Sequence, residues 1–173
     1  MDLIAATAAV SKATLYVYFT DRERLLVALI EHEIQSTVPR VLWESGSEVT
    51  DIEATLREIA RRLLTAFLTF LGHDHVFLRL VEDLSLHSPG LGLRLYAAGP
   101  GKIRQQVVDF LTLAHTRQLL DVPDVERAAM QLISLVHGDL RVRKTLAMPL
   151  PDRQERNEIV DSSVRMFLAA YGC

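Results

Sequence analysis

Four side chains on one short stretch carry the chemistry of nucleic-acid contact: Lys12, Thr14, Tyr16 and Tyr18, a cation, a hydroxyl and two phenols within two helical turns. In a helix, Leu15 and Phe19 lie four apart and face inward, and the four polar residues project from the rest of the surface. Such a helix suits a DNA major groove. Lys, Thr and Tyr contact phosphates and base edges there, and a Thr methyl can meet a thymine methyl. A second cluster, His73-Asp74-His75, could ligate a metal or supply a base. Adjacent helical residues point in different directions and seldom converge on one ion, so a capped helix start is the plainer reading. His87, His115 and His137 are far apart in sequence, and no Ser/His/Asp order or Gly-rich phosphate loop supports catalysis. Neither an enzyme, a cofactor nor a metal is therefore expected.

Presenting Lys12 to Tyr18 requires two short helices and a tight turn. Ile4, Ala5 and Ala8 put apolar residues at one-turn spacing, and Ala5, Ala8 and Ala9 are small enough for two helix axes to approach closely. Ser11 is a good N-cap for a helix from Lys12 to about Phe19. Asp21 caps a longer helix, whose first N–H groups could bind a phosphate beside Arg22.

At these residues the chain resembles the TetR family of bacterial transcriptional repressors. The matching positions are Ile4, Ala5, Ala8, Val10, Ser11, Thr14, Leu15, Tyr16, Tyr18, Phe19, Leu25 and Leu26. The family usually has Gly where this chain has Ala9, and Lys where it has Arg22. Gly tolerates positive φ at such a turn and Ala does so poorly. The resemblance implies that Ser11, Lys12, Ala13, Thr14, Tyr16, Tyr18 and Arg22 face double-stranded operator DNA, with Lys12, Thr14 and Tyr18 nearest the bases and Tyr16 and Arg22 on phosphates. It also implies a helix ahead of this pair, which would stand before Met1. Without that helix, residues 1–173 alone are expected to bind DNA weakly or not at all.

The composition narrows the class. With 173 residues the chain is long enough for a substantial core, and its 49% hydrophobic content suggests that some apolar surface meets a partner. The longest apolar runs are too short to span a bilayer and no signal peptide opens the sequence, so a cytoplasmic protein with no membrane partner is expected. Cys173, the single cysteine, rules out an internal disulfide. The net charge is −3. Lys12, Arg22 and Arg24 are balanced near the N-terminus by Asp2, Asp21 and Glu23, so any basic patch must be local.

Downstream, every patterned segment has a helical period and none alternates as a strand, so the chain is expected to be all-α. A helix-turn-helix region over 1–30 is followed by an effector-binding and dimerisation domain over 31–173. The expected helices are one from Asp21 toward Pro39, one from Asp51 to Gly72, and one capped by Asp74 that ends near Ser88-Pro89-Gly90. A short helix over Leu91–Ala98 and others over 102–120, 125–143 and 153–171 follow, with a loop over 44–50. Asp152 and Glu155 form a candidate capping box.

The last two helices carry a second apolar stripe each, Ala129, Ile133, Val136 and Leu140 on one and Ile159, Ser163, Met166 and Ala170 on the other. Two faces to bury in so small a chain point to a homodimer, with Ala129, Ile133, Leu140, Ile159, Ser163, Met166 and Ala170 at its interface. The TetR resemblance implies the same pair of helices and a four-helix bundle. Two recognition helices about 34–36 Å apart would then read a near-palindromic operator. It further implies a small, mostly apolar effector. Candidate lining residues are Phe67, Leu71, Phe77, Leu80, Leu84, Phe110 and Val136, with His87, Tyr96 and His137 as polar contacts; each could equally be core. The expected function is a ligand-responsive dimeric repressor. The alternatives are a small all-α metal-dependent enzyme using His73-Asp74-His75, and a helical ligand-binding dimer that has lost DNA binding.

Overall fold

The structure, a computed structural model, describes residues 1–39, 41–43, 49–73, 75–87 and 89–173; the side chains of Glu23, Thr37, His75, Val76 and Pro89 also lie outside the description. Among the described residues the fold is all-α. In chain order the helices are α1 (Asp2–Thr7), α2 (Lys12–Tyr18), α3 (Arg22–Thr37), α4 (Ile52–Leu71) and α5 (His75–His87). They are followed by α6 (Pro89–Ala98), α7 (Pro100–Thr116), α8 (Val125–His137), α9 (Leu140–Thr145) and α10 (Arg153–Tyr171). The cap expected at Asp74, Ser88 at the expected end of that helix, and most of the loop over 44–50 fall outside the described residues.

Side-chain caps set most helix starts. Ser11 Oγ accepts the Thr14 N–H at 2.9 Å, Asp21 that of Arg24 at 2.8 Å, and Asp51 that of Ala54 at 2.9 Å. Asp152 accepts the Glu155 N–H at 2.9 Å, but Glu155 does not close the reciprocal arm of a capping box. Its carboxylate instead takes Arg143 Nη1 at 2.6 Å, because α9 ends close by. Pro100 begins α7, where its missing N–H costs nothing, so Gly99-Pro100 starts a helix as well as ending one.

The helix expected over 125–143 is two helices. Gly138 stands at φ 47°, ψ −129°, a region open to glycine and strained for other residues, and it breaks the chain between α8 and α9. The domain boundary expected at residue 30 falls inside α3, which runs unbroken because nothing between Asp21 and Pro39 interrupts a helix.

Two apolar clusters hold these helices. The larger joins α4, α7, α8 and α10 through residues such as Leu56, Leu63, Phe110, Leu132, Val136, Val164 and Phe167. The smaller is built from Ile30 and Ile34 of α3 and Leu91 and Leu95 of α6, with Phe77, Leu80 and Leu84 of α5 against it. Phe70 packs on both. At the far end, the Asp121 N–H donates to the Tyr171 carbonyl at 2.8 Å and ties the loop before α8 to the end of α10. No described helix is long and apolar enough to cross a membrane.

Candidate nucleic-acid interface and effector cavity

α1 and α2 pack as a helix-turn-helix pair pinned by Ala5 and Leu15, both buried. The turn is made with Ala9 at φ 53°. The left-handed conformation expected there is therefore kept without its usual glycine, at a cost of about 1–2 kcal/mol. Beyond the turn, α2 presents its outer face to solvent, with Val17 80% and Tyr18 76% exposed. Lys12, Ala13, Thr14, Tyr16 and Arg22 are exposed as well.

Two of these side chains already have partners. The Ser11 and Thr14 hydroxyls lie 2.7 Å apart, so Ser11 acts as a cap and orients Thr14. Lys12 Nζ lies 2.7 Å from Asp2 Oδ1. That hydrogen bond, with the attraction between the charges, raises the Lys12 ammonium above its ordinary pKa and lowers the Asp2 carboxyl. Asp2 thus competes with a phosphate for Lys12. Val17, which sequence reasoning passed over as an ordinary apolar residue, is among the most exposed side chains of this face.

At the seam between the two apolar clusters lies a cavity of about 530 Å³. Its walls come from α3 and its C-cap (Ile34, Val38), α4 (Ala66, Phe67, Phe70), Val81 of α5, α6 (Leu95, Tyr96), Gly99 at the α6–α7 junction, α7 (Pro100, Ile103, Arg104) and α8 (Met130, Ile133, Ser134, His137). This volume falls in the range of small-molecule pockets. The His137 ring stacks on Phe67 with centroids 3.8 Å apart, and burial lowers its pKa to about 4, so it is neutral near pH 7.

Of the expected lining residues, the structure brings together Phe67, Tyr96 and His137. Leu71, Phe110 and Val136 are fully buried core, Phe110 lying 5.5 Å from the Trp43 ring, because their helix faces turn toward the larger cluster. Phe77, Leu80 and Leu84 face the smaller cluster instead. His87 is exposed at the end of α5, its Nδ1 2.8 Å from the Asp83 carbonyl. The α3 wall and Arg104 were missed. Ile34 reads as one more position of an amphipathic helix, and Arg104 as a solvated charge; only the close approach of α3 to the α6–α7 junction brings them to one chamber.

The stripes assigned to a dimer interface divide similarly. Met166 and Ala170 are exposed and Ile159 is half-buried, whereas Ala129, Leu140 and Ser163 are buried within the protomer. Packing of α8 and α10 on each other and on α4 turns Ala129 and Ser163 inward, and Leu140 lies past the Gly138 break. Ile133 lines the cavity. Between α8 and α10 runs an open groove of about 900 Å³, whose walls include Met130, Gln131, Leu135, Met166 and Ala170.

His73 is engaged structurally. Its Nδ1 lies 3.0 Å from the Phe70 carbonyl oxygen and its Nε2 3.3 Å from Glu33 Oε2, with the ring stacked on Phe77. Asp74 and the His75 side chain lie outside the described residues. Among the described residues no group of three or more His, Cys, Asp or Glu is placed to hold a metal.

A helix-turn-helix followed by a helical domain around a ligand-sized chamber defines the class, an all-α DNA-binding regulator. Comparison with known proteins gives the family. Residues 1–29 match the profile described as bacterial regulatory proteins, tetR family, and residues 54–173 match the AefR-like transcriptional repressor, C-terminal domain. The chain belongs to the TetR family of transcriptional regulators, which are not enzymes. It is similar to the solved flavonoid-responsive regulator FrrA, with 30% identity over 99% of this chain and 86% of that one and a TM-score of 0.77. A TetR regulator from Agrobacterium tumefaciens shows 27% identity over 98% and 82% of the two chains, with a TM-score of 0.72. No curated protein matches the chain in sequence.

Proposed function

We propose that this regulator is a ligand-responsive dimeric repressor that reads a near-palindromic operator through α2 and is released by a small aromatic or apolar effector held in the 530 Å³ cavity. One observation carries the reading: Ile34 walls that cavity from within the helix that begins four residues after α2 ends, and Val38 from its C-cap. A ligand that fills the cavity therefore acts directly on the element that carries the recognition helix. At Gly99 an added Cβ would stand 2.3 Å from Ile34 Cγ2, so α3 and the α6–α7 junction touch without slack.

The dimer reading rests on the groove between α8 and α10, where Met130 and Met166 are 56% and 61% exposed. α8 separates cavity from groove, with Met130 and Ser134 lining both. Effector binding would shift the population toward a spacing of the two recognition helices that no longer fits one turn of DNA. The responsiveness of FrrA to flavonoids supports an aromatic effector. On this face, Lys12, Thr14 and Tyr18 of α2 read the bases, with Tyr16 of α2 and Arg22 at the start of α3 on phosphates and Ser11 and Ala13 at the contact edge.

Selection of bound duplexes from a random DNA library, by the chain joined to the first helix of a TetR DNA-binding domain, tests the proposal. The enriched sequences should contain two inverted half-sites about 10 base pairs apart, centre to centre. The Thr14→Ala and Tyr18→Ala variants should lose sequence preference, whereas Tyr16→Phe with Arg22→Ala should weaken binding to all duplexes alike and flatten its salt dependence. Enrichment of a single unpaired half-site would contradict the dimer reading.

A further inference from the structure

We propose that the cavity selects a planar aromatic ligand bearing an anionic oxygen, a carboxylate or a phenolate, and that Arg104 recognises the charge. This rests on the reading of the cavity as the effector site. Four rings wall the chamber, those of Phe67, Phe70, Tyr96 and His137, which favours a flat aromatic body. Among the described lining residues Arg104 is the one charged side chain, and no carboxylate lines the cavity. His137 is held neutral by burial and adds no second charge.

The Arg104 guanidinium is incompletely paired. Its Nε is buried and has no hydrogen-bond acceptor, whereas its Nη2 donates to Glu126 Oε2 at 2.5 Å. Buried donors are nearly always satisfied, so the orphaned Nε favours a shift of the guanidinium away from Glu126, after which a ligand acceptor can reach it. A carboxylate can accept two parallel N–H bonds from a guanidinium, and Glu126 takes one. The Glu126 side chain is 55% exposed, and such a pair is weak in water. A ligand charge on the chamber side of Arg104, whose side chain is 36% exposed, is less screened than Glu126. An anionic ligand would therefore take over the Arg104 guanidinium and release Glu126 to solvent.

The exchange also has a regulatory consequence. Arg104 lies on α7 and Glu126 in the first turn of α8, where Glu126 lines the α8–α10 groove. Releasing Glu126 removes a tie between the two helices and leaves a free carboxylate at the proposed dimer face.

The test compares two fluorescent probes, anthracene-2-carboxylate and anthracene-2-carboxamide, titrated into the full chain near neutral pH. The carboxylate should bind wild type about tenfold more tightly than the amide. Arg104→Met should abolish that preference with little change for the amide, and Glu126→Gln should tighten carboxylate binding by removing its competitor. Thermal unfolding of each variant verifies the fold. Equal affinities in wild type, or a preference that survives in Arg104→Met, would overturn the assignment of Arg104. Binding of neither probe to folded wild type would instead overturn the reading of the cavity as the effector site, and this inference with it.

Discussion

The neutral His137 makes the protein sensitive to mild acid, and the size of the effect follows from its burial. In the unfolded chain the imidazole titrates at its ordinary value of 6.5, and in the fold burial lowers this to about 4. Above pH 6.5 neither state is protonated and the residue has no effect. As pH falls from 6.5 toward 4 the unfolded chain takes up a proton that the folded chain refuses, so stability is lost progressively across that window; below it the loss is complete. The whole shift corresponds to about 3 kcal/mol, of which about 2 kcal/mol falls between pH 7.5 and 5. His137→Phe keeps a ring against Phe67, now stacked at 3.8 Å, and removes the titrating group. Urea unfolding of both proteins at pH 7.5 and 5 isolates the residue, since the remaining ionisable groups are common to the two. The wild type should lose about 2 kcal/mol more than the variant on acidification. Equal losses, to within about 0.5 kcal/mol, would refute the claim that His137 is buried and neutral in the cavity wall.

Three further outcomes follow from the geometry. Ala9→Gly should relieve the left-handed strain at φ 53° and slow amide hydrogen exchange in α1 and α2 by an amount equivalent to about 1 kcal/mol, whereas faster exchange would mean that the turn is not strained. Asp2→Asn should free Lys12 and raise affinity for duplex DNA severalfold at low salt, with a smaller gain at high salt; unchanged affinity would remove Lys12 from the interface. Gly99→Ala should cost about 1–3 kcal/mol in thermal unfolding by forcing Ile34 away from the α6–α7 junction, and wild-type stability would show that α3 is not held there.

Local order carried much of the fold into the sequence. Ser11, Asp21, Asp51 and Asp152 announce helix starts because a capping oxygen acts within three residues of its own position. The amphipathic rhythm of α4 likewise reflects a single core face. Gly138 was harder to read, since a lone glycine inside a periodic stretch fits either a continuous helix or the sharp break observed. The candidate site was legible at one end only. The residues of α2 are consecutive and announce themselves by type, whereas the cavity is assembled from six helices and from residues that are individually ordinary. Leu71, Phe110 and Val136 have the same apolar character as Phe67, and only the relative placement of α4, α7 and α8 decides which of them reaches open space. Ala129 and Ser163 failed as surface residues for a related reason: an angular stripe on a helix does not reveal how far its neighbours wrap around it.

The central claim is that the cavity and the recognition helix are coupled through α3. Its most direct test is anisotropy of an enriched operator duplex, titrated with the chain joined to the first helix of a TetR DNA-binding domain, with and without saturating anthracene-2-carboxylate, together with the converse titration of the probe with and without DNA. The account predicts that ligand weakens DNA binding by a factor between about 5 and 150, and that DNA weakens ligand binding by the same factor. A probe that occupies the cavity while leaving operator affinity unchanged would contradict it.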